Sequence, residues 1–167
     1  MENNYIYIPN DPQHEEFRCR VPLKDTEQVF VVDGKGEKMG LNLGKGEILP
    51  QMLQVIAVRS RQAQEDLSYS TDYRLAERAQ AKVLLCSHTL SMEDFTTHEC
   101  VNVELGKGAI LDMVVMQNEH NKSKHSTSFK VQMEEGAVFN LNVVTLHGGE
   151  ISNEIEVNLN GKGGECN

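Results

Sequence analysis

Cysteine and histidine fall into two close pairs. Cys86 and His88 stand two apart, as do His98 and Cys100. Residues two apart on a β-strand project from one face, so each pair would offer a thiolate beside an imidazole. Four such donors suit zinc or an iron–sulfur centre. The spacings, however, are C-x-H and H-x-C, not the C-x2-C of dedicated metal motifs. Free cysteine is also among the most buried side chains, and Cys86 shares its repeat position with Met116 and Val144, where packing explains it. Packing is the expected role. Cys86, His88, His98 and Cys100 are the candidates for a metal centre, and no metal is expected to bind tightly.

Other chemistry has less support. Five of the six histidines (His88, His98, His120, His125 and His147) fall in the polar stretches 87–99, 117–128 and 147–154. Gathered on one edge, they would make a transient iron-binding surface, although polar loops collect histidine without function. Glu119-His120 and Glu134-Glu135 resemble acid/base pairs in residue type alone, and Glu134 and Glu135 are expected to be solvated. No nucleophile has its base beside it, and no G-x-S-x-G, P-loop, H-E-x-x-H or H-x-H motif occurs. The expectation is no catalytic residue, no enzyme and no cofactor in the isolated chain.

A repeat must position these residues. Residues 101–111 (VNVELGKGAIL) read as two strands joined by a glycine turn: Val101, Val103 and Leu105 alternate with polar residues, and alternation resumes at Ala109, Leu111, Met113 and Val115. The unit recurs 28 positions later at Phe129, Val131, Met133, then Ala137, Phe139, Leu141 and Val143. A third copy opens at Ile155, Val157 and Leu159, followed by the glycine-rich stretch 161–164. Upstream, Ala79, Ala81, Val83 and Leu85 form a matching second strand, and residues 41–49 (LNLGKGEIL) repeat 103–111 at six of nine positions. Strands are also expected at 29–32 and 52–58, with a longer loop or helical turn at 60–68 and a lead-in to the regular repeats at 69–75.

A repeat of just under 30 residues made of strand and turn indicates a solenoid. Hexapeptide and leucine-rich patterns are absent, so the fold class is all-β, a parallel β-helix. A β-sandwich or jelly roll is the alternative. The expected organisation is one domain over 1–167, with an irregular segment at 1–28 and rungs over 29–167.

Charge narrows the partners. A formal net charge of −9 and a pI near 5.1 argue against nucleic acid and anionic membrane. No run of about 18 apolar residues reads as a membrane span, and the start (MENNYIYIP) does not read as a signal peptide. Cys19, Cys86, Cys100 and Cys166 show no disulfide framework. The expected location is the cytoplasm.

Residues 81–90 (AKVLLCSHTL), 116–121 (MQNEHN), 145–149 (TLHGG) and 155–161 (IEVNLNG) resemble the β-helical core of the SufB/SufD family, with a closer likeness to SufD; 5–9 (YIYIP) resembles the lead-in to that core. The resemblance covers residues 70–167, and the first 70 more loosely. It implies a right-handed parallel β-helix and a non-catalytic scaffold role in SUF iron–sulfur cluster assembly, with SufB and the SufC ATPase as partners. Iron or a cluster would belong only to the full complex. The family's helical flanking regions have no match here, so a fragment or truncated paralogue is expected, and no residue here takes the family's cluster-related role. Outside this resemblance, two readings stand: a small metal-dependent jelly-roll enzyme and a generic β-solenoid interaction module.

The repeat also fixes a register. Val103, Val131, Val157, Leu111 and Phe139 should point inward and stack across rungs, and Gly108 and Gly136 should occupy equivalent bends. The strand at 137–146 should present an uncharged open edge, which a second copy of the chain would cover in a homodimer.

Overall fold

The computed structural model of the chain describes residues 6–7, 16–17, 26–90 and 93–167. The expectations for residues 1–5 and for the rest of the irregular first segment fall outside them, as does Cys19. β1 (Ile6–Tyr7) and β2 (Glu16–Phe17) pair antiparallel. From there the chain alternates between two sheets. The first holds β3 (Thr26–Val32), β5 (Met52–Arg59), β7 (Gln80–Thr89), β9 (Ile110–Asn118), β11 (Val138–His147) and β13 (Glu165–Cys166). The second holds β4 (Gly40–Leu43), β6 (Asp66–Leu75), β8 (Phe95–Leu105), β10 (Ser123–Met133) and β12 (Glu150–Leu159).

Every neighbouring pair in these two sheets is parallel. Together they form a β-solenoid of about five turns, with rungs of about 28 residues. A sandwich or jelly roll would pair its strands antiparallel, so the alternative fold falls. No helix occurs among the described residues, and none there is long and apolar enough to cross a membrane.

The core follows from alternation. Leu41, Tyr73, Val103, Val131 and Val157 lie in register across the second sheet, and Ala81, Leu111 and Phe139 across the first. Val103, Val131, Leu111 and Phe139 are fully buried, and Val157 packs on them from the last rung. The spacing along the second-sheet row falls from 32 (41 to 73) through 30 and 28 to 26 (131 to 157). Each change is even. A strand's faces repeat every two residues, so even changes keep the same side inward.

The two corners differ. The narrow one leads from the second sheet back to the first and is set by a left-handed residue in each rung: Gly46, Arg78, Gly108, Gly136 and Gly163, with φ between 58° and 70°. The amide of each of the first four donates to the next rung, to the carbonyls of Glu77, Lys107, Glu135 and Lys162 at 2.8–3.0 Å. The residues just before them (Lys45, Glu77, Lys107, Glu135, Lys162) alternate in charge along the edge. Lys45 lies 2.6 Å from Glu77, and Lys107 2.9 Å from Glu135.

Gly108 and Gly136 thus occupy the equivalent bends expected of them. Arg78 sits in the same conformation with a side chain, which costs an L-residue about 1–2 kcal/mol. Arg78→Gly should therefore stabilise the protein by about 1 kcal/mol, since its exposed 3.3 Å contact with Glu77 contributes little. Gly136→Ala should cost a similar amount, although no atom lies within 4 Å of the added Cβ. Urea melts of both variants measure this. Identical midpoints for both and for wild type would refute it.

The wide corner departs from expectation. The stretches 87–99, 117–128 and 147–154 were expected to be long polar loops on one edge. Strands instead run through most of them: β7 ends at Thr89 and β8 begins at Phe95, and turns remain at 119–122 and 148–149. Residues 33–39 and 60–65 make the earlier turns of this corner, before β4 and β6 begin. The open edge is also smaller than expected. Glu165 and Cys166 pair with Val138 and Phe139, and the Asn167 carbonyl accepts from the Leu141 amide. At this end of the solenoid, among the described residues, the later part of β11 and the whole outer edge of β12 lack a neighbouring strand.

Candidate functional site

Inside the solenoid the lining changes character from one corner to the other. Near the narrow corner it is apolar: Leu75, Leu105 and Met133 on one sheet face Ala81, Leu111 and Phe139 on the other. Toward the wide corner the same inward register carries Thr97, Glu99, His125 and Thr127 on the second sheet. Ser87 and Gln117 occupy it on the first, with Arg59 and Glu119 closing the corner. All of these side chains are buried.

An ionic cluster lies at the centre. His125 presents Nδ1 to Glu119 Oε1 at 3.3 Å and Nε2 to Glu99 Oε2 at 3.7 Å, so the two carboxyl groups approach opposite ends of one ring. At 3.3 Å the first contact is an ion pair rather than an aligned hydrogen bond. His125 Nε2 also meets Thr127 Oγ1 at 3.0 Å, and the Thr89 hydroxyl donates to Glu119 Oε2. Burial would push the imidazole toward neutrality, but Glu119 and Glu99 outweigh it and raise His125 to about 9. Burial would likewise raise Glu119; the facing His125 and the Thr89 hydroxyl overcome it and hold the carboxyl below its ordinary range.

Arg59 supplies the second cation. Its guanidinium donates to Thr97 Oγ1 at 2.9 Å and to the carbonyls of Gln64, Glu65 and Thr96, and it lies 4.1 Å over the Phe95 ring. Burial lowers its pKa. Two cations thus face two carboxyl groups, the balance a dry interior demands. Tyr69 and Tyr73 lean toward Glu99, and burial followed by that carboxyl raises both phenols. A cavity of about 10 Å³ between Arg59, Tyr69, Ser87, Glu119 and His125 has room for a single water.

The sequence-derived metal candidates do not converge. Cys86 lies on the outer face of the first sheet, in a row with Phe30, Ile56, Met116 and Val144, and accepts from Gln54 Nε2 at 3.9 Å. His88 follows two residues on in the same strand. His98 and Cys100 lie on the outer face of the other sheet, where His98 Nδ1 meets Ser126 Oγ at 2.6 Å and Cys100 donates to Asn102 Oδ1 at 3.4 Å. The outer faces of the two sheets point in opposite directions. Among the described residues no group of three or more His, Cys, Asp or Glu is arranged to hold a metal.

Nor do the five histidines share one edge. His88 and His98 lie on strands of different sheets, His125 is inside, and only His120 is in a turn. His147 ends β11 with Nδ1 2.8 Å from the Glu119 carbonyl oxygen. Glu134 and Glu135 are exposed, whereas Glu119 is buried. Arg59, Glu99 and the pairing of His125 with Glu119 escaped the sequence reading. Extending the inward register back from Val101 to Glu99, and from Phe129 to His125, would have found two of them.

The SUF system FeS cluster assembly SufBD core domain matches residues 59–167, well over half the chain. Curated proteins and solved structures give no match. The match begins at Arg59 and spans every member of the ionic cluster. With a parallel β-solenoid beneath it, this chain belongs to the SufBD core family of iron–sulfur cluster assembly.

Proposed function

We propose that the chain is a SufD-like, non-catalytic scaffold subunit of the SUF machinery, working in the cytoplasm with SufB and SufC as partners. Iron or a cluster would be held only in the assembled complex. The match to the SufBD core carries this reading. Exposed apolar side chains support a docking role. Among the described residues no strand pairs with the outer edge of β12, and its inward-facing Ile155 and Leu159 are 50% and 55% exposed. Val144 and Leu146 on β11 are 44% and 58% exposed. Unpaired strand edges beside apolar side chains favour strand addition. SufB is the expected occupant, and a second copy of this chain replaces it when SufB is absent.

Co-expression with SufB and SufC from one source, followed by sedimentation analysis, tests the reading. A stable complex with SufB is expected, and Ile155→Lys with Leu159→Lys should weaken it by at least about tenfold, the loss of two buried apolar contacts. Alone, the wild-type chain should dimerise and the double variant should not. A chain that stays monomeric and ignores both proteins would leave only a generic β-solenoid interaction module.

A further inference from the structure

We propose that Glu99, His125 and Glu119 form a proton latch, in which one proton on the imidazole keeps the wide corner of the solenoid shut over its interior. The three residues come from β8, β10 and the turn after β9, so the ring ties the two sheets together. The ties extend outward from Glu119. Its amide donates to the His147 carbonyl at 2.9 Å, and its own carbonyl meets His147 Nδ1, which anchors the end of β11 and the 148–149 turn. Ser123 closes the 119–122 turn through its amide and hydroxyl, both donating to the His120 carbonyl at 3.0 and 2.7 Å.

Apart from His88, no described group facing the ring can replace the lost proton. Arg59 is already committed to Thr97 and three carbonyls. From β7, His88 acts on Glu119, and from β6, Tyr69 and Tyr73 act on Glu99, but both phenols are held protonated. From β11, His147 meets only backbone of Glu119. A neutral ring would leave two carboxyl groups and one fixed cation in a dry interior, and admitting water is the available relief. Because the carboxyl groups raise the imidazole to about 9, the latch is closed at neutral pH and opens in mild alkali.

Hydrogen exchange of the full chain between about pH 7 and pH 10, corrected for intrinsic rates, tests this. Peptides covering 117–123 and 145–151 should lose about tenfold in protection as the His125 ring proton titrates by NMR, while core peptides over 101–105 stay protected. His125→Gln should show the low protection already at pH 7, with no further pH response. Two results would overturn the latch: a ring that does not titrate across this range, or turns that open at the same pH in wild type and His125→Gln. Should the variant fail to fold, the wild-type ring titration and the exchange of its turns still decide.

Discussion

Replacing His125 with alanine should destabilise the protein by about 3–5 kcal/mol, the usual cost of removing one member of a buried ion cluster and stranding its partners. Glu99 and Glu119 would be left facing each other across an empty site, with the Arg59 guanidinium acting on Glu119. Converting the trio together with Arg59 to apolar residues of similar volume should cost less than the single change, because no member of the cluster is then left charged and unpaired. The pH profile carries its own signature. His125 is raised in the fold, so its contribution is complete below the unfolded value near 6.5 and is lost as pH climbs through about 9. Over that window wild type should lose roughly 3 kcal/mol, and His125→Ala should lose almost none. Urea melts at several pH values read both effects, and equal slopes in the two proteins would contradict them.

Phe139→Ala should also cost about 3–5 kcal/mol, the transfer term plus the cavity left behind. Phe139 is fully buried, stacks on Leu111 and carries Cys166 on its other side. A denaturation midpoint close to wild type would mean that the ring does not fill the core as its register requires.

Both predictions rest on strands, but only one of the two positions could be read in advance. Near the narrow corner, apolar residues at every second position announce strand, face and stacking partner together. Val103, Val131 and Val157, like Leu111 and Phe139, could be placed by counting positions. Toward the wide corner the backbone keeps the same alternation of burial, but the inward side chains are Thr97, Glu99, His125 and Thr127. A hydrophobic period cannot register an interior that is polar and satisfied by partners on the opposite sheet, so those strands resembled loops. The metal candidates do not converge for a related reason. Spacing within one strand shows which residues share a face, but not whether the next strand belongs to the same sheet. Cys86 and Cys100 lie on successive strands and opposite outer faces.

The alternating charges along the narrow corner bear on assembly more than on strength. Each exposed pair, such as Lys45 with Glu77 or Lys107 with Glu135, adds little to stability, because solvent screens it. Repetitive chains face a particular error during folding, in which a rung docks on the wrong neighbour and still finds a similar apolar surface. Skipping one rung here sets Lys45 against Lys107 and Glu77 against Glu135, like against like. Skipping none sets every sign against its opposite. The row acts as an address label, cheap in the native state and penalising in the misthreaded one.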